Sequence, residues 1–260
     1  QLEQKTRVLL SEYPQILTIN LSMQGTLDRN AGISLHTNFF KNWTDVPLVK
    51  IFEKNFSVPT YLYHDPECLL TYHLANDPRL SGKMNGIIIR IDDGIGMAQL
   101  ANGTLYEPTG NTACELGHTV VVPDGLPCSC GKKGCLEAYS SLRGVKVLYS
   151  DDPDYSTESL LLLLENHDPK AEQLIHQAGL YLGLSIANLF TLYNPDFIVL
   201  DGNSIARIPN FYEQIQKSVQ SFYQEPFHLL RANFRSDAAA IGAAMLTNNK
   251  ILENILFEDN

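Results

Sequence analysis

Long apolar runs are missing from this chain. None approaches the ~20 residues that a membrane-spanning helix needs, and the opening QLEQKTR has no apolar segment of the kind that marks a secretory signal. A cytoplasmic protein is expected. Clustered Lys and Arg are also missing: 29 acidic residues face 19 basic ones, a formal charge of −10. Gripping a nucleic acid needs cations opposite its phosphates. This polypeptide is therefore not expected to hold DNA by itself. Cysteine is scarce and odd in number, five in all, which suits reduced thiols better than a disulfide framework. No repeat, no low-complexity segment and no initiator Met occur.

What is present is an ordinary globular composition, 44% hydrophobic over 260 residues, enough for one large or two small domains with a substantial core. The chemistry concentrates in Glu115 to Glu137, ELGHTVVVPDGLPCSCGKKGCLE. His118, Cys128, Cys130 and Cys135 fall within eighteen residues, interleaved with glycines and lysines able to turn tightly. Such a Cys3His set fits a tetrahedral zinc site, and four side-chain ligands make it closed and structural. A metal there would fasten Glu115 and Glu137 to one frame. Each carboxylate accepts two or more hydrogen bonds, which is what neighbouring sugar hydroxyls offer. One nitrogen of His118 can hold metal while the other ring edge faces a ligand.

E-L-G-H followed by C-S-C-G-K-K-G-C-L-E resembles the signature of the ROK family (repressors, open reading frames and sugar kinases), and within it the sugar-responsive repressors NagC and Mlc. The resemblance covers essentially the whole chain but starts partway into the family pattern. It implies an α/β fold of the ROK sugar kinase type (actin-like ATPase, hexokinase-like), truncated at the N-terminus and carrying a zinc loop. By that pattern the division is 1–85 as the remainder of the small lobe and 86–260 as the large lobe with the zinc loop and the C-terminal helices. The family puts a D-x-G-x-T phosphate loop in the first strands of the small lobe, and its repressors carry a winged helix-turn-helix; both are absent here, and the chain is expected to be a fragment.

The resemblance assigns structural Zn2+ to His118, Cys128, Cys130 and Cys135, and sugar contacts to Glu115, His118 and Glu137. His64-Asp65 follows the apolar Thr60 to Tyr63, so Asp65 sits just past a strand's carboxyl end, where open α/β sheets place ligand groups. Asp65 matches the base of the family's kinases, which takes the proton from the attacking hydroxyl. His-Asp in place of the kinases' Asn-Asp resembles the repressor branch, which makes His64 and Asp65 sugar contacts rather than catalytic groups. Asp65 can also cap the helix opening at Pro66. Asn38, in a stretch similar to the family's sugar-facing loop, is a candidate hydroxyl contact and equally a loop-capping residue.

Several positions depart from the pattern. Gln24 replaces the proline of a P-G-x-V-D turn. Cys114 stands where a glycine usually precedes the Glu. Asp92-Asp93-Gly94 occupies the kinases' glycine-rich phosphate turn, and two carboxylates there would repel a nucleotide, by a few kcal/mol for unit charges ~4 Å apart at protein-surface dielectric. Asp201 replaces a glycine beside the kinases' adenosine.

Periodicity and punctuation predict helices over 2–13, 46–56, 136–149, 157–165, 168–193, 203–222, 238–247 and 251–257. They predict strands over 16–21, 60–63, 87–91, 98–101, 104–106, 197–200 and 229–234, with Asn102-Gly103 as a hairpin turn. Gly179 and Gly183, one turn apart, and Gly242 are expected at close helix contacts.

The leading functional reading is a sugar- or sugar-phosphate-sensing effector and oligomerisation domain of a repressor. A ligand gripped by both lobes would favour one geometry and reposition DNA-binding heads, provided it binds two states with different affinity. Expected partners are the sugar effector, DNA only through a separate N-terminal module, in the Mlc branch a sugar-transporter subunit, and a second or further copies in a homodimer or homotetramer. The competing reading is an ATP-dependent sugar kinase with Asp65 as base. A third is a zinc-bound dimerisation module that takes no sugar.

Overall fold

The computed structural model describes residues 2–37, 42–107, 114–152 and 154–257. These fall into two units, one formed by the described residues up to Asn76 together with those from Ser236 onward, the other running from Asp77 to Arg235.

The first unit opens with helix α1 (Leu2–Glu12), which buries none of its residues. It is tied to the helix α2 region by Asn55, whose amide donates to Glu3 at 3.0 Å, and by Arg7 over the Phe56 ring. Strands β1 (Ile19–Met23), β2 (Thr26–Asp28), β3 (Ile33–His36) and β4 (Thr44–Val46) follow, then helix α2 (Leu48–Phe56), strand β5 (Thr60–His64) and helix α3 (Asp65–Asn76). Strands β2, β3 and β4 form an antiparallel sheet, while β1 pairs in parallel with β5 and sets Leu21 opposite Leu62. Leu21, Leu27, Leu48, Phe52 and Leu62 make the apolar centre. A C-terminal helix over Ala238–Phe257 packs on α3. The contact is close because Gly242 has no side chain: a Cβ would stand 1.8 Å from the Cys68 carbonyl oxygen. Deeper in, the Tyr63 hydroxyl meets Thr247 Oγ1 at 2.8 Å, and Thr247 in turn bonds Asn20.

The second unit is built on strands β6 (Gly86–Ile91), β7 (Ile95–Ala101), β8 (Thr104–Leu105), β9 (Phe197–Asp201) and β10 (Leu229–Arg231), in the order β10-β9-β6-β7-β8. Strands β9 and β6 are parallel and almost wholly buried, as near-continuous apolar strands must be when both faces are covered. Strand β7 turns back antiparallel on β6. Asn102 and Gly103 have φ of 52° and 80°, the left-handed pair that a two-residue hairpin needs. Around the sheet lie α4 (Leu136–Ser140), α5 (Leu142–Tyr149), α6 (Thr157–Glu165), α7 (Pro169–Tyr193), α8 (Asn203–Arg207) and α9 (Phe211–Phe222). The Asp168 carboxylate caps α7 by accepting from Ala171 N, and Asn194 ends it in the left-handed conformation. Gly183 lets α9 approach: a Cβ there would lie 2.2 Å from that of Ser218. Gly179 is different, since its nearest neighbour would be an ordinary 3.5 Å away.

Several expectations about boundaries need correction. The division at 85/86 is replaced by one after Asn76, and the C-terminal helix α10 (Ala238–Phe257) belongs with the first unit because Gly242 seats it on α3. The helix predicted over 136–149 breaks at Ser141, whose extended backbone (φ −79°, ψ 159°) and side chain cap α5 by accepting from Gly144 N. The one predicted over 203–222 breaks before Phe211, with Pro209 and a left-handed Asn210 between α8 and α9. The two predicted C-terminal helices are one, since nothing between Thr247 and Ile251 is a Gly or Pro that would stop a helix.

Candidate functional site

The metal-ligand candidates are gathered by a knuckle of backbone hydrogen bonds. Cys128 N donates to Lys132 O at 2.9 Å and Gly131 N to Cys128 O at 3.0 Å. Gly134 N reaches Leu126 O at 2.8 Å, and Val121 N reaches Gly134 O at 2.8 Å. Gly131 and Gly134 have φ of 85° and 77°. At Gly134 a Cβ would also lie 1.7 Å from the Val122 carbonyl oxygen, so only glycine fits. His118 enters from a single 3-10 turn, Leu116–His118, and Lys132 Nζ pins its carbonyl at 2.7 Å. Gly117 allows that turn to lie on β7, because a Cβ would meet the Ile95 carbonyl oxygen at 2.5 Å.

The ligand atoms of His118, Cys128, Cys130 and Cys135 all lie within 4.8 Å of one another. Cys128 Sγ is 3.5 Å from His118 Nδ1, and Cys130 Sγ is 3.6 Å from Cys135 Sγ. Tetrahedral coordination with metal–sulfur bonds of about 2.3 Å and metal–nitrogen bonds of about 2.0–2.1 Å puts neighbouring ligand atoms about 3.6–3.8 Å apart. The set can hold a metal ion. Burial, with the neighbouring Cys130 and Cys128 adding to it, pushes the Cys135 thiol up to about 12, a penalty that a cation among the sulfurs removes.

The two glutamates flank this knuckle inside the second unit. Glu115 immediately precedes the 3-10 turn. Burial pushes its carboxyl above the usual range, the nearby His118 opposes this, and the charge of Glu137 adds to it. Glu137 stands in the first turn of α4 and is buried. Its Oε2 accepts from Ile95 N at 3.1 Å and its Oε1 from Arg143 at 2.5 Å.

In the first unit, β1 and β5 end side by side, with Met23 opposite His64. Asp65 begins α3 there and is buried. Ser22 Oγ donates to its Oδ1 at 2.7 Å and Gln24 Nε2 reaches Oδ2 at 3.4 Å. Burial lowers His64 to about 4, Asp65 opposing and Arg29 assisting. Arg29 forms an ion pair with Glu67 of α3 at 2.7 Å. Ser22 and Arg29 carry no motif signal. Only the unusual Gln24 marks that turn in the sequence. Asn38 lies outside the described residues.

The turn between β6 and β7 differs from the expectation of two repelling carboxylates, since both are paired. Asp92 is buried; its Oδ2 takes Arg90 Nε at 2.7 Å and its Oδ1 takes Asn203 N, at the start of α8, at 2.6 Å. Burial nonetheless raises its carboxyl above the usual range, Arg90 and Asn203 opposing. Asp93 forms an ion pair with Lys146 Nζ at 3.2 Å. Asp201 is buried at the end of β9, and Gly202, at φ 114°, passes so close to β6 that a Cβ would lie 2.4 Å from Ile91 O.

The parallel β6–β9 pair with its antiparallel neighbour, together with the ELGH turn and the cysteine knuckle, defines a class, and the comparisons give it a name. The ROK family model matches residues 3–250. The chain belongs to the ROK family. It is 26% identical to the xylose repressor of Bacillus spizizenii over 95% of this chain and 65% of that protein. It is 29% identical to the N-acetylmannosamine kinase of Escherichia coli O1:K1 over 79% of this chain and 70% of that protein. Among solved structures, the ROK hexokinase of Thermus thermophilus superposes with a TM-score of 0.81 at 25% identity, over 96% of this chain and 88% of that one. The fold is therefore the ROK sugar-kinase-like α/β fold, and relatives of both kinds, regulator and kinase, share it. The chain spans just under two thirds of the length of the xylose repressors it matches. Among the described residues no helix is long and apolar enough to cross a membrane.

Proposed function

We propose that this chain is the sugar- or sugar-phosphate-sensing effector and oligomerisation domain of a ROK-family transcriptional repressor. The observation that carries the reading is the engagement of Asp92. Its carboxylate takes the Asn203 amide and the Arg90 guanidinium, the kind of donors that bind a phosphate. In the same unit the carboxylates of Glu115 and Glu137 remain beside the metal-ligand set. A chain that keeps polyol acceptors and answers its own phosphate donors with a carboxylate is suited to sensing a sugar rather than phosphorylating it. The similarity to xylose repressors supports this choice.

The residues assigned to the sugar are Glu115, His118 and Glu137, and, by the family pattern, His64, Asp65 and Asn38. Asp65 acts as a hydroxyl acceptor whose orientation Ser22 and Gln24 maintain. The metal assigned to His118, Cys128, Cys130 and Cys135 is zinc, because three thiolates and an imidazole suit that borderline-soft ion. When bound it supplies a rigid anchor for the ELGH turn. His118 Nδ1 lies 3.5 Å from Cys128 Sγ, and with Nδ1 on the metal, Nε2 is left for the ligand. Sugar binding shifts an equilibrium between two states to the extent that their affinities differ, and DNA is reached through a separate N-terminal module. A homodimer or homotetramer and, as an alternative effector, a sugar-transporter subunit complete the assignment.

The second reading, an ATP-dependent sugar kinase using Asp65 as base, is favoured by the similarity to N-acetylmannosamine kinases and to the ROK hexokinase. Calorimetric titration with xylose, glucose and N-acetylglucosamine 6-phosphate, beside a coupled phosphorylation assay with hexoses and N-acetylhexosamines, separates the two. Binding without turnover is expected. Turnover that Asp65→Asn abolishes would establish the kinase instead, and silence in both assays would leave a zinc-bound dimerisation module.

A further inference from the structure

Arg143 lies six positions after Glu137, and on one continuous helix residues six apart point about 120° apart, at 100° per residue. The break at Ser141 changes this. With Ser141 extended and capping α5, the chain starts a new helix and Arg143 returns onto Glu137, its Nη2 at 2.5 Å from Oε1. The opposite oxygen is held by Ile95 N at 3.1 Å. Gly94 makes room for it, since a Cβ there would stand 2.9 Å from Oε2. The carboxylate is thus clamped from two sides by donors on different elements, while its side chain is only 8% exposed.

We propose that Arg143 is a positioning residue for ligand recognition: it sets the plane of the Glu137 carboxylate against Ile95 N so that the remaining lone pairs face the sugar. The proposal rests on the reading of Glu137 as a sugar contact. A carboxylate has about four acceptor sites; the clamp uses one on each oxygen and leaves one on each for adjacent hydroxyls. Without Arg143 a single backbone amide holds the group, and it turns about its last bond. Because the Glu137 side chain is only 8% exposed, losing the guanidinium also costs stability, so the test reads orientation and affinity rather than stability alone.

The test uses Arg143→Met, which keeps the apolar stem, and Arg143→Lys, which restores one charged donor. Exchange of the Ile95 amide, read by nuclear magnetic resonance, should speed up by roughly tenfold in R143M and return most of the way in R143K, with metal content unchanged in both. Calorimetry with xylose, glucose and N-acetylglucosamine 6-phosphate should show the sugar that binds the unaltered protein losing roughly tenfold in affinity in R143M, the scale of one charge-assisted hydrogen bond, with recovery in R143K. Ile95 exchange unaltered in R143M, or equal sugar affinity in both variants, overturns the proposal. An unaltered protein silent to all three sugars sinks the sugar reading instead, while the exchange measurement still decides whether Arg143 orients Glu137.

Discussion

Asp92, just past the end of β6, accepts the amide hydrogen of Asn203 at 2.6 Å, joining that strand to the first residue of α8. Its other oxygen takes Arg90, whose side chain is 20% exposed. Asp92→Ala leaves a part-buried guanidinium and a helix-start amide without this acceptor. The expected loss is about 1–3 kcal/mol, read as a lower urea midpoint with an unchanged slope. Asp92→Asn keeps an acceptor for the amide and should lose less.

The two glycines of α7 separate close contact from mere helix permissiveness. Gly179→Ala meets nothing nearer than 3.5 Å and replaces a poor helix former with the best, so a gain of up to about 1 kcal/mol is expected. Gly183→Ala places a methyl group 2.2 Å from Ser218 Cβ and should cost roughly 1–3 kcal/mol as α9 is pushed away. Thermal midpoints moving in the same direction for both variants would contradict the assigned packing.

His64 gives a pH dependence with a definite sign. Its folded value is lowered to about 4 from the usual 6.5, chiefly by burial, so between those values the unfolded chain binds more protons than the folded one. Stability from this group is complete above about pH 6.5 and falls as the pH drops toward 4. His64→Gln should flatten that limb. The difference in urea midpoint between pH 7 and pH 5, measured for both proteins, should be smaller in the variant.

Removal of the metal proposed for the knuckle should loosen it and with it the frame of Glu115 and Glu137. One zinc per chain is expected by elemental analysis. Cys130→Ser or strong chelation should abolish it and lower the thermal midpoint, by about 2–4 °C for each kcal/mol lost in a protein of this size. Gly134→Ala should do the same without touching a ligand, because its Cβ has no room beside Val122 O. Full zinc occupancy in that variant would show that the turn does not shape the site.

Much of the fold was legible because local chemistry agreed with it. Asp168-Pro169 caps α7, Asn102-Gly103 turns the β7–β8 hairpin, and apolar runs mark β6 and β9. Boundaries failed where the deciding group is distant or the signal weak. Ser141 reads as an unremarkable helix residue until its side chain is seen capping α5, and α10 joins the first unit through a glycine whose partner, Cys68, is remote in sequence. Within the candidate site, the clustering of His118 with the three cysteines could be read from spacing. Ser22 and Arg143 could not, since each reaches a carboxylate on another element.

The sequence by itself determined the family, the cluster of His118, Cys128, Cys130 and Cys135 that could hold a metal, and the order of most elements, because motif spacing and helix or turn signals act over a few residues of chain. Tertiary structure alone decided the state of the acidic groups. Asp92 and Asp93, read in sequence as bare charges, each lie against a cation, Arg90 and Lys146, and Glu137 is clamped by Ile95 and Arg143. Charge compensation depends on distance in space across a low-dielectric interior, and that distance comes into being only when strands β6 and β7 pack against α4, α5 and α8.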